Sequence, residues 1–309
     1  MRLNKKFIFV IPVLVIILLM FKSKTLDENN TDINTVASEP RNLSQEFKDY
    51  WYNGTAELNS YSLEQARYGE IRKGTAIAIF VSEDFLTDEQ VKANRPSGKS
   101  VSVLKFNATK NFNTGIYPYS IMSSTFYPLS QVQHAIKVSS SIQEWCGHSY
   151  TQLNNRADFD LVSHTYFEGL SDKQFSIKKA WLENELWIQL RVDPSELVIG
   201  AAEVIPGIEY TQMMHKPLKA YTAKMKIEVI DENTSQYQIH YPELKRSLNI
   251  NYTTAFPHKI MGWTETFKSG FGKNAKEMTT KATLLKSIRS PYWTKNKLKD
   301  EVLRDSLGL

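Results

Sequence analysis

Apolar and polar residues alternate along most of this chain. Ala76-Ile77-Ala78-Ile79-Phe80-Val81 is an extended run closed by Ser82-Glu83-Asp84. Val101-Ser102-Val103-Leu104-Lys105-Phe106 follows the turn-like residues 94–98. Residues 136–138 and 142–150 form a further extended stretch, and 159–167 alternate again. In the second half the same period recurs over 220–230, 236–241, 248–253, 260–267 and 278–288, with Asp231-Glu232-Asn233-Thr234 as a turn signal. A period of two marks strands with one wet face. Short polar connections between neighbours predict antiparallel pairing rather than crossover helices. Residues 182–191 carry Leu182, Leu186 and Leu190 at helical spacing and stop before Pro194, which predicts one helix. A second is expected over 297–306, with Leu298, Val302 and Leu303 on one side. The expected architecture is mainly β with some α: a large twisted antiparallel sheet, an open or half-closed barrel, with one or two covering helices.

The chain opens differently. Arg2, Lys5 and Lys6 precede an unbroken apolar run over 7–21, and Lys22 and Lys24 follow it. As a helix the run rises about 22 Å at ~1.5 Å per residue, against a hydrocarbon core of ~30 Å. Snorkelling lysines close part of that gap. No small-x-small cleavage pattern follows Met20, and no cysteine lies nearby to carry a lipid. The segment reads as an uncleaved signal anchor (1–24) forming an N-terminal membrane helix, with a cleaved signal peptide as the alternative. Basic residues concentrated on the amino side place that end inside and the body outside. The expectation is therefore a single-pass inner-membrane protein with its body in the periplasm. Residues 25–45, rich in Asp, Glu, Asn, Thr and Ser near their start, read as a flexible stalk. The folded domain is expected over 46–309, starting near Phe47 and the cluster Tyr50-Trp51-Tyr52.

Composition narrows the chemistry. The formal net charge of +5 is modest for this length, and no basic stripe with interleaved aromatics points to nucleic acid. The single cysteine excludes an internal disulfide framework and a cysteine-based metal or cluster site within one chain. His134, His148, His164, His215, His240 and His258 show no close ligand spacing, so no metal or cofactor is expected. Gly270-Phe271-Gly272-Lys273 lacks the spacing of a phosphate loop and reads as a hairpin turn. Two groups remain. Glu144, Cys146 and His148, on a single strand, would share a face, so a thiol with an imidazole base and an orienting carboxylate would make a hydrolase or transferase. Tyr117, Tyr119, Phe126 and Tyr127 fall in residues 113–129, which have no clean period. They suggest an aromatic loop over one mouth of the sheet, lining a pocket for an apolar ligand such as lipid.

Several stretches resemble a family of exported proteins of flavobacteria and their relatives, some of them labelled septum formation inhibitor Maf. They are Ala66-Arg67-Tyr68-Gly69-Glu70, residues 113–122, Gln143-Glu144-Trp145-Cys146-Gly147-His148, Gln152-Leu153-Asn154-Asn155-Arg156 and Leu303-Arg304-Asp305-Ser306-Leu307. The Ser-x-Ser-Pro-Arg-Arg motif of the Maf pyrophosphatases is not matched; Ser287-Ile288-Arg289-Ser290-Pro291 stands near the wrong end and in another order. The resemblance implies an envelope protein, with a scaffold in envelope assembly or division as one role. The sheet pattern is also similar to lipoprotein-carrier-like half-barrels.

Overall fold

A computed structural model of the chain describes residues 39–309, so the apolar run 7–21 and the stalk as far as residue 38 lie outside the described residues. The described part is dominated by one sixteen-stranded sheet, fifteen strands in a single path and a two-residue strand, Val91–Lys92, paired off it with Phe85 and Leu86. Its first half is a meander: β1 (Ala56–Arg67), β2 (Glu70–Leu86), β3 (Ser100–Thr114), β4 (Tyr117–Pro128), β5 (Lys137–Glu144), β6 (Gly147–Asn155), β7 (Phe159–Thr165) and β8 (Lys173–Ile177). The second half holds β9 (Trp181–Leu182), β10 (Gly200–Ile205), β11 (Tyr221–Val229), β12 (Thr234–Tyr241), β13 (Arg246–Thr253), β14 (Ile260–Ser269) and β15 (Lys276–Ser290). β15 pairs antiparallel with β1 and fuses the halves, with Lys281 opposite Glu64 and Ser290 opposite Ala56. Every pairing is antiparallel except that of β9 with β10.

The edges of this sheet are β8 and β9. A flat sheet of this width would hold them about 65 Å apart at ~4.8 Å per strand. Ile177 and Trp181 are consecutive edge residues along the chain, separated by Lys178-Lys179-Ala180, a reach of at most about 15 Å. The sheet must therefore curl until its ends approach, and since the edges do not pair it stays an open barrel.

Helix α2 (Glu183–Val192) lies inside that curl, not over it: Leu186, Ile188 and Leu190 are buried, and so are Glu183, Glu185, Gln189 and Arg191. α1 (Gln45–Trp51) is capped by Ser44, whose hydroxyl accepts from the Phe47 N–H, and it buries Phe47 and Trp51. α3 (Ile208–Met213) follows β10. The predicted terminal helix forms as a 3-10 segment, Leu298–Leu307, packed on the outside of β1 through Leu307.

Three expectations need correction. Residues 113–129 are not a loop: they are the end of β3, a turn at Gly115-Ile116, and β4. Residues 142–150 are not one strand, because a turn at Trp145-Cys146 divides β5 from β6. The end of the expected stalk is not free. Glu39–Pro40 pairs with Gln131–Val132, and the Arg41 guanidinium donates to Glu196 and to the Pro128 and Leu129 carbonyls.

Gly74 marks where sheet curvature depends on a missing side chain. A Cβ there would lie 2.2 Å from the Asn111 carbonyl oxygen on β3. Gly74→Ala is expected to destabilise the body by about 2–3 kcal/mol, the cost of forcing backbone apart in a packed sheet. A urea midpoint unchanged from the parent would contradict this account of the curl.

Candidate functional site

The interior of the barrel is built first around α2. Its polar side chains each reach a different part of the sheet. Glu183 accepts from Arg246 on β13 (2.8 Å from Nη2) and from the Tyr241 hydroxyl. Glu185 meets His134 Nδ1 at 2.8 Å and accepts from the Ala135 N–H. Gln189 donates to the Tyr127 hydroxyl at 3.0 Å. Arg191 makes a two-pronged pair with Glu57 on β1, at 2.7 and 2.9 Å, under the rings of Phe80 and Trp51. A cavity of about 70 Å³ remains beside the helix, bordered by Phe106, Lys110, Trp187, Arg246 and Trp263. A cavity of this size admits a few water molecules. The concave face is thus filled by helix and ion pairs, and an acyl chain has no room there.

Space for a ligand lies at one end of the barrel. A cleft of about 700 Å³, within the usual range for small-molecule sites, opens among the hairpin tips and the end of α3. Arg67 and Tyr68 come from the end of β1, Glu144 and Cys146 from the β5–β6 turn, and Phe167 from the β7–β8 connection. Met213 ends α3 and Met214, His215 and Lys216 follow it; Lys245 and Leu244 come from the β12–β13 turn, and Lys268 and Phe271 from the end of β14.

Arg67 organises its floor. Nη1 donates to the Met213 carbonyl at 2.8 Å, and Nη2 donates to the Tyr119 hydroxyl at 3.0 Å. Its guanidinium carbon lies 4.2 Å from the centre of the Tyr68 ring. The Arg67 Nε–H is buried and has no partner. Tyr68 has φ +55° and Gly69 φ +79°, the two left-handed residues of a tight hairpin turn. A tyrosine is strained there, of order 1 kcal/mol, and its ring is held by Arg67 and by Phe271 5.6 Å away. Burial, and then the hydrogen bond with Tyr119, push the Tyr68 phenol above its ordinary range, so it stays neutral. Burial, followed by the charge of Arg67, pulls the His215 imidazole below its ordinary value, so it is uncharged at neutral pH. Charge in the cleft comes from Arg67, Lys216, Lys245 and Lys268 against Glu144 and Glu243.

The residues singled out from sequence are dispersed. Cys146 is exposed at the cleft, and its N–H donates to the Glu144 carboxylate at 2.6 Å. Glu144 therefore closes its own turn. His148, opposite Gln143 on the outer face, borders a separate shallow depression with His164 and Asp172. The shared face expected for Glu144, Cys146 and His148 fails because the chain reverses between them. Tyr119 is buried beneath the cleft, and Tyr117 packs above it, 6.0 Å away. Tyr127 lies toward the opposite end, bonded to Arg41 and Gln189. Phe126 faces outward against Phe85. Among the described residues no three potential metal ligands converge, and no helix is long and apolar enough to cross a membrane. Compared with protein families, with curated proteins and with solved structures, the chain finds no match in any of the three.

Proposed function

We propose that this chain is a non-enzymatic envelope protein that binds an amphiphile with an anionic head in the mouth cleft. In this reading residues 7–21 tether it to the inner membrane and the body stands in the periplasm. The observation that supports binding is the cleft itself: Phe167, Met213, Met214, Leu244 and Phe271 offer apolar contact, while Arg67, Lys245 and Lys268 offer positive charge. Adaptable methionines beside aromatic rings suit a flexible apolar chain. Catalysis through Cys146 has less support, because His148 stands on another face and His215 is packed edge-on against Phe167.

Cys146 gives the test, since it is the only cysteine and borders the cleft. Dodecanoate is expected to slow maleimide labelling of Cys146, and dodecanol to do so less well. Lys245→Glu with Lys268→Glu should weaken dodecanoate protection about tenfold, the loss expected for a charge-assisted contact. Labelling indifferent to dodecanoate would end the reading.

A further inference from the structure

The rim of this mouth carries a second feature. Antiparallel strands alternate their connections between two ends, so the turns 68–69, 115–116, 145–146, 166–172 and 270–275 all gather at one of them. Gly69 and Ser269 are in direct contact there, the Gly69 N–H donating to the Ser269 hydroxyl at 3.2 Å. Four of these turns each thrust one large apolar side chain into solvent: Ile116 is 87% exposed, Trp145 69%, Tyr166 78% and Phe271 74%. The rings connect sideways. Phe271 leans on Tyr68, whose hydroxyl meets that of Tyr119 at 2.8 Å; Tyr117 stacks with Trp145 at 6.4 Å; and Tyr166 lies against Gly147 beside Trp145. They form a collar around the cleft.

Charge on the same rim is one-sided. Glu70 is paired with Arg72 and Glu243 with Lys219. Exposed Lys173, Lys216, Lys245, Lys268, Lys273 and Lys276 then stand against Glu144, Glu168, Asp172 and Glu277, with Lys216, Lys245, Lys268 and Glu144 shared with the cleft. Separate turns, each exposing one apolar tip, with lysines flanking the 166–172 and 270–275 turns, do not make the continuous flat patch of a protein–protein interface. Aromatic tips at headgroup depth and lysines outside it match the interfacial layer of an anionic bilayer.

We infer that this collar docks the protein on an anionic lipid bilayer, with Ile116, Trp145, Tyr166 and Phe271 entering the headgroup region and the rim lysines meeting lipid phosphates. The collar shares Phe271, Lys245 and Lys268 with the cleft, whereas Ile116, Trp145, Tyr166, Lys273 and Lys276 lie outside it. Arg41, where the described chain begins, is bonded at the opposite end, beside Pro128 and Leu129. The collar thus faces away from the point where a tether would join the body.

Tryptophan positions allow a local readout in the full chain. Trp145 sits in the collar, while Trp293, 49% exposed, sits beyond the far end of β15. The full-length protein, carried in phosphatidylcholine nanodiscs so that residues 7–21 are already occupied, is mixed with vesicles. These are phosphatidylcholine with phosphatidylglycerol, brominated on the acyl chains. Quenching of Trp145 in a Trp293→Phe background is expected, with none of Trp293 in a Trp145→Phe background. Ile116→Ser with Phe271→Ser should weaken vesicle binding about tenfold, the loss expected from withdrawing two apolar side chains from an interface. Lys273→Glu with Lys276→Glu, outside the cleft, should weaken binding to anionic vesicles and leave dodecanoate protection of Cys146 unchanged. Equal quenching of both tryptophans, no quenching of Trp145, or a collar that instead mediates concentration-dependent dimerisation without lipid would overturn the inference.

Discussion

Arg246→Met is expected to lower the stability of the folded body by about 3–5 kcal/mol, the usual cost of removing one partner from a buried ion pair. Arg246 is the centre of the interior network: Nη2 is 2.8 Å from Glu183, and Nε is 2.7 Å from Glu265. Burial by itself would raise the Glu183 pKa; the Arg246 charge and hydrogen bonds outweigh burial and hold it below its ordinary value. Methionine fills a comparable volume but leaves two carboxylates in an apolar interior. One of them would be expected to take up a proton, and α2 would lose its hold on β13. At ~2–4 °C per kcal/mol for a domain of this size, the melting temperature should fall by about 10 °C. Adding Glu183→Gln should restore part of the loss, about 1–2 kcal/mol, because adjacent sites in one network are not additive. A melting temperature within a degree or two of the parent's would show that the network does not hold the helix.

The second large effect is acid sensitivity set by Glu57. Burial pushes its carboxyl up, but the Arg191 charge and hydrogen bonds prevail, with help from Asn59 and Tyr50, and bring its pKa down to about 2. A depressed folded-state pKa means that the unfolded chain takes up the proton first. The stabilisation is therefore complete above the ordinary carboxylate pKa and is lost as pH falls toward the folded value. The ordinary value is 4.5, and the difference corresponds to about 3 kcal/mol at neutral pH, disappearing between about pH 4.5 and pH 2. Compared with Glu57→Gln, the parent should lose its stability advantage by about 1.4 kcal/mol per pH unit across that window. Parallel pH–stability curves for the two proteins would show that Glu57 is not held ionised by Arg191.

How much of this was legible in sequence can be judged strand by strand. Residues 76–81, 101–106, 260–267 and, but for its two end residues, 220–230 lie within observed strands; 221–225 alternate buried with exposed side chains, whereas 76–81 are apolar throughout because Ile79 and Val81 pack beneath the C-terminal segment. β1 went unread. Ala-Glu-Leu-Asn-Ser-Tyr-Ser at its start changes the phase of its alternation at Ser60, and both its faces are buried: Glu57, Asn59 and Tyr61 inward, and Leu58 and Ser60 beneath the C-terminal segment. β4 was taken for a loop since Pro118, Tyr127 and Pro128 obscure its period, although the burial of Tyr119, Ile121 and Thr125 alternates with Ser120 and Met122. The cleft was the least legible. Arg67, His215, Lys245 and Phe271 come from distant turns, and their meeting depends on β15 pairing with β1. A partial signal was present in Arg67-Tyr68-Gly69, where a tyrosine before glycine hints at a tight turn carrying a purposeful ring.

The sequence by itself determined a pleated body, the turn at 231–234 and the approximate span of α2, because alternation and helical spacing are local consequences of which side of the backbone meets water. It also determined that the chain carries a single thiol. Only the tertiary structure decided that α2 is swallowed by the sheet, that Cys146 and His148 part company, and that the apolar tips form a ring. The first and last of those outcomes rest on strand pairing between residues more than two hundred positions apart, such as Ser60 with Lys286, and on charges whose burial is tolerable only when a distant partner arrives; the parting of Cys146 and His148 comes from the turn at 145–146.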